Sequence, residues 1–300
     1  MGCSGAGVTP FKSIVRATAQ EILSEPLSLL VLIASLALAV FAPAIHYHQF
    51  GDPTRMARDA GCSALFTGGL VTAVFGILRS FRREIETGTA QMALARPVSR
   101  TGFFFAKTAG GFAAYLVFAF ILFAALLAMV EGAAIGGEIA AQTGDIARVY
   151  GPLLAAGVAL LLVPLVAGAV LNRFGRCRFV LTCFVTAFVL AGAIVLGLAV
   201  FKGAAVPRLL AVALPSVAFA AVFLAAAAAF SVRLKANAAT SAVGVVFVLL
   251  LPCVGNYYLP EALARGGSLP WSTVAFAFGA AAPAVLFFLL LGCRFVRGLE

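Results

Sequence analysis

The sequence predicts an all-α integral membrane protein, a polytopic bundle of about eight transmembrane helices with both termini on the cytoplasmic side. Three observations carry this. The 300 residues are 63% hydrophobic and only 11% charged, with a mean hydropathy of +1.10, whereas soluble domains are about half apolar. Apolar runs long enough to cross a bilayer, which takes about 20 residues of helix, recur eight times along the chain. The few basic residues stand in short clusters between those runs, as in loops retained on the cytoplasmic face.

Ahead of the first run, Thr9 and Pro10 mark a helix start, with Thr as the cap and Pro at the first helical position. Phe11, Ile14, Val15, Ala19, Ile22 and Leu23 then recur at helical spacing, with Lys12, Arg16, Gln20 and Glu21 mostly on the other side. A helix divided in this way lies along the cytoplasmic membrane surface until the chain turns inward near Pro26. The apolar runs follow at about 27–44, 62–78, 103–130, 152–171, 179–201, 209–230, 238–254 and 271–293. The first is read as a retained span, because the region before it is long for a removable signal and contains Glu21 and Glu25. Residues 1–26 thus form a cytoplasmic segment with an interfacial helix, and 27–300 a transmembrane domain.

Charge sets the orientation. With the N-terminus inside, 15 of the 21 Lys and Arg residues fall on the cytoplasmic side, leaving Arg55, Arg58, Arg148, Lys202, Arg208 and Arg265 outside. Six of the eleven acids, Asp52, Asp59, Glu131, Glu138, Asp145 and Glu261, lie in the outer loops. An even number of spans brings the C-terminus back inside. The net charge of +10 therefore reflects topology rather than attraction to nucleic acid.

Inside the runs the single charged side chain is Lys107, one turn into the third, where its stem can reach the cytoplasmic headgroups. The runs hold no Asp, Glu, His or Arg, which argues against a proton-coupled carrier or a voltage sensor. No nucleophile, base and orienting group converge in sequence. The six cysteines form no CxxC pair and read as small buried apolar residues. His46 and His48 stand in the first outer loop; such a pair binds copper or zinc only if further ligands join, with Met56 and Cys62 nearby, and plain loop residues are the other reading. Prolines 164, 215, 252 and 283 interrupt later runs. Small residues such as Gly110 and Ala114, or alanines 225–229, allow close helix packing.

The longest and most charged inner connection joins the second and third runs and reads RREIETGTAQMALARPVSR from Arg82 to Arg100. Arg82 and Glu86 stand four apart and can pair on a helix that prolongs the second span, until Gly88 breaks it. Thr87 or Thr89 caps a second short helix through Gln91, Met92 and Leu94, which Arg96-Pro97 ends because the residue before proline is driven out of the helical region. Ser99 caps the next span. The outcome is a small helix across the base of two membrane helices, a suitable handle for a cytoplasmic partner.

Glu84, Glu86, Gly88-Thr89, Arg96-Pro97-Val98-Ser99-Arg100 and Lys107 together resemble the E-x-E-x-G-T…L…P-V-S-R…K signature of ABC-2 type transporter permeases, closest to the subgroup associated with multicopper enzyme maturation and general export. The likeness is specific over about residues 10–130. It implies that residues 84–97 are a coupling helix seated in a groove of an ATP-binding subunit, with Glu84, Glu86, Gly88, Thr89, Met92, Leu94, Arg96, Pro97 and Arg100 at the contact. Where the family carries leucines before the exit turn, this chain has Met92-Ala93-Leu94-Ala95. The family norm is six spans. The resemblance further implies export across the cell membrane, a second permease subunit, identical or homologous, membrane lipids as surroundings, and no nucleic acid. The chain has no GxxxxGK[ST] loop; GFFFAKT at 102–108 lacks the second glycine. It is therefore expected to be no enzyme and to hold no cofactor, ATP and magnesium residing on the partner. A carrier or channel working without ATP, and a membrane scaffold for protein or copper-enzyme assembly, are the alternatives.

Overall fold

The structure, a computed structural model, describes residues 10–45, 53–86, 99–143, 146–175, 178–201, 205–234, 242–244 and 270–297. Eight long helices account for nearly all of them, and no strand occurs among the described residues. They are α1 (Pro10–Leu23), α2 (Pro26–Ile45), α3 (Pro53–Glu86), α4 (Arg100–Thr143), α5 (Ile146–Gly175), α6 (Phe179–Phe201), α7 (Ala205–Arg233) and α8 (Trp271–Arg297). In lipid every backbone N–H and C=O must be satisfied within the chain, and a helix does this segment by segment.

Among the described residues six helices are long and apolar enough to span a bilayer, and the bent pair α1–α2 makes up to seven. Seven of the eight apolar runs coincide with a helix, whereas most of the run at 238–254 lies outside the described residues. At 34 and 44 residues, α3 and α4 reach about 51 and 66 Å, well beyond a hydrocarbon core of about 30 Å. The extra length of α3 is N-terminal as well as C-terminal. It draws Arg58, expected in an outer loop, into the helix, where it is buried and 3.7 Å from Asp59.

Burial orders the helices into two shells. In the most apolar windows of α3, α4 and α7, 67%, 72% and 67% of residues are buried within the protein, against 22%, 22% and 17% for α5, α6 and α8. α4 is apolar on every side and packs against each of the other seven helices. Its Phe104, Tyr115, Phe118, Ile121, Leu122 and Leu126 are among the largest fully buried side chains. The outer helices expose Val166, Val189, Leu196 and Phe276, the surface that lipid covers in a membrane protein.

α1 starts at Pro10, as its sequence predicts, and meets α2 at a bend of 65°. The cause of the bend is local. Proline has no N–H, so Pro26 cannot donate to the Ile22 carbonyl; Ser28 Oγ does so instead, at 2.7 Å. The helix is not simply floated on lipid, however. Thr18 and Ile22 are buried against α3 and α4, and the approach is close: a Cβ on Gly110 would stand 2.8 Å from the Val15 carbonyl, and one on Gly76 2.6 Å from Ile22 Cγ2. The outward face keeps Phe11, Lys12 and Arg16 exposed.

Candidate functional site

The C-terminal ends of α1 and α3 and the N-terminal end of α4 share one charged cluster. Helical spacing aligns Arg79 and Arg83 on α3 four residues apart, and Glu21 and Glu25 are four apart across the end of α1. Arg79 Nε lies 3.2 Å from Glu25 Oε1, with a second contact from Nη1 to Oε2 at 3.3 Å. Arg83 Nη1 stands 3.7 Å from Glu21 Oε1, and Ser80 Oγ donates to Glu21 Oε2 at 2.7 Å. Burial pushes the Glu25 carboxyl above the ordinary carboxylate value, with Arg79 opposing that shift, Glu21 adding to it and Arg83 opposing it.

One turn further along α3, Glu84 meets Lys107 of α4. The ammonium is 2.7 Å from Glu84 Oε2 and donates to the Ser80 carbonyl at 2.7 Å. The Phe81 ring centroid lies 4.8 Å from Nζ and that of Phe103 5.8 Å, in reach of a cation–π attraction. With 1% of its side chain exposed, Lys107 does not reach toward headgroups as its place near the end of a span suggested. A carboxylate, a carbonyl and the Phe81 ring on the neighbouring helix outcompete that route, because a buried ammonium needs an acceptor for each of its protons.

The chain returns to α4 through an N-cap. Gly102 N–H donates to Ser99 Oγ at 3.1 Å, and Phe103 N–H to the Ser99 carbonyl at 2.9 Å, as the sequence predicts. Of the residues expected at a partner contact, Glu84 is in the last turns of α3 and turned into the protein, and Arg100 is exposed at the start of α4. Glu86 ends α3, but its side chain lies outside the described residues, as do Gly88, Thr89, Met92, Leu94, Arg96 and Pro97. His46 and His48 are outside them too, and no group of three or more His, Cys, Asp or Glu side chains suited to a metal occurs among the described residues. Cys62 and Cys183 are free thiols, with Cys183 buried.

The roles of Glu21, Glu25, Arg79, Ser80 and Arg83 were not read from the sequence. The signal was present as two carboxylates and two arginines, each pair at a four-residue interval. Only the packing of α1 against α3 and α4 brings the pairs opposite each other.

The family model described as ABC-2 family transporter protein matches residues 25–177, which contain α2 to α5 and the connection between α3 and α4. The chain belongs to the ABC-2 transporter family. No curated protein and no solved structure matches it. As an ABC-2 family member it is a multi-pass membrane permease subunit of an ABC transporter, and membership implies association with an ABC ATP-binding subunit. The charged cluster falls at the base of the family-matched hairpin α3–α4, with Glu21 and α1 contributed from just outside the matched range.

Proposed function

We propose that this chain moves a substrate outward across the cell membrane, driven by ATP hydrolysed on a separate subunit that docks on residues 86–97, Glu84 being engaged within the protein by Lys107. The observation that supports this reading is the way the base from which that segment leaves is tied together. α3 and α4 enclose it at Glu86 and Arg100, are pinned together through Lys107 and Glu84, and run through the bundle in full contact with each other. A push delivered at the segment would therefore travel along two continuous helices into the buried core. Glu86, Gly88, Thr89, Met92, Leu94, Arg96, Pro97 and Arg100 would face the ATPase, and ATP with magnesium would be held there, not on this chain. Transport requires two packings whose balance nucleotide shifts. A second permease subunit, identical or homologous, would complete the pathway.

Co-purification tests the reading. The tagged chain should bring down an ATP-binding protein, and Glu86→Arg, or replacement of residues 88–97 by a Gly-Ser linker, should abolish recovery while the protein still inserts. Full recovery with the linker in place would refute docking at this segment, and transport by the chain reconstituted alone would favour an ATP-independent carrier.

A further inference from the structure

Lys107 belongs to the signature the chain shares with ABC-2 permeases, but the signature does not say where its side chain goes. A cation with 1% of its side chain exposed near the end of a span would ordinarily extend its stem to the interface, where hydration costs nothing. Here it turns inward and touches α3 at two successive turns, the Ser80 carbonyl and the Glu84 carboxylate, both at 2.7 Å. Two contacts one turn apart fix the rotation of α3 about its axis as well as its distance from α4. A single charge pair would fix only the distance. The Ser80 hydroxyl meanwhile donates to Glu21, so the same residue of α3 is held from α4 through its backbone and from α1 through its side chain. Beyond this grip α3 has little more than half a turn left, ending at Glu86.

We propose that Lys107 is a positioning residue for ATP-driven transport, setting the rotation of the α3 terminus so that movement imposed on the segment after Glu86 turns the helix as a body and is not lost in local bending. The inference rests on the docking function proposed above. It assigns Lys107 no contact with cargo, nucleotide or the ATPase. Its carboxylate partner Glu84 acts with it and not at the partner contact, while Arg100 stays exposed at the start of α4.

The test uses the full chain in nanodiscs with its co-purified ATPase, in a background lacking the six native cysteines. Spin labels are placed at the exposed positions Ser63 of α3 and Phe276 of α8, and their distance is compared without nucleotide and with ATP and vanadate. The unaltered chain should show an ATP-dependent shift in distance. Lys107→Met and Glu84→Gln should keep the ATPase bound and hydrolysing but lose the shift. Exchanging the charges, as Lys107→Glu with Glu84→Lys, should not restore it, because a carboxylate at 107 cannot donate to the Ser80 carbonyl. Ile121→Val, which trims a fully buried side chain of α4 away from the grip, should leave the shift intact.

A shift unchanged in Lys107→Met, full restoration by the exchanged pair, or an equal loss in Ile121→Val would each overturn the positioning role. Failure of the unaltered chain to bind any ATPase, or to move when one is bound, would instead refute the docking reading beneath it.

Discussion

Removing one member of the Lys107–Glu84 pair should not cost the same as removing the other. Glu84→Ala leaves an ammonium with 1% exposure facing the Ser80 carbonyl and the Phe81 ring without its counter-charge. Breaking a buried pair in this way costs about 3–5 kcal/mol; the remaining carbonyl and ring place the loss near about 3 kcal/mol. Lys107→Met keeps an apolar stem of similar length, and the stranded Glu84, with 28% of its side chain exposed, can recover water, so the loss falls to about 1 kcal/mol. The gap of about 2 kcal/mol is roughly a thirty-fold difference in the folded-to-unfolded ratio. Equilibrium unfolding by SDS in mixed micelles, followed by helicity and by the single tryptophan, Trp271, measures both variants. Equal losses, or a larger loss for Lys107→Met, would refute the claim that burial of the cation dominates this site.

The exposed arginines should behave differently: with 70% of its side chain exposed, Arg83 gains little from Glu21, and Arg83→Ala should change stability by under about 1 kcal/mol in the same titration. Gly110→Val should unseat α1, because the new Cβ meets a backbone carbonyl that cannot turn away. The cost should be about 1–3 kcal/mol, with α1 becoming sensitive to protease while α3 and α4 stay protected. Glu25 should titrate above the ordinary carboxylate value of 4.5. A raised folded value means that the native protein takes up this proton at a higher pH than the unfolded chain does, so this group's unfavourable contribution disappears as pH falls through it. The Arg79 contact weakens over the same range, and an infrared carboxyl band that is lost in Glu25→Gln and titrates at or below 4.5 would contradict the burial argument.

Legibility in the sequence followed the range of the forces involved. Seven apolar runs became helices, with α3 and α4 running well past their expected bounds, because a run of some twenty apolar residues has hardly any alternative in lipid. The Ser99 cap and the start at Pro10 were legible for the same local reason, each being decided by groups within a turn. α1 was legible as amphipathic, but its inner face proved to be a protein contact with Gly76 and Gly110 and not only a surface resting on lipid. Lys107 was misread. Its sequence neighbours are apolar and aromatic, and the groups that turned it inward, Ser80 and Glu84, lie on another helix across a connection of more than a dozen residues.

Composition and spacing alone determined the class of molecule and the rough placement of seven of its apolar helices. Those properties depend on transfer between water and lipid and on bonds within one helix, both of which sum over neighbours in sequence. The tertiary structure decided which helices form the core, that α1 is strapped to α3 through Glu21 and Glu25, and that the one cation of the apolar runs grips a neighbouring helix. Helix rotation and close approach settle these points, and they depend on which side chains meet across helices.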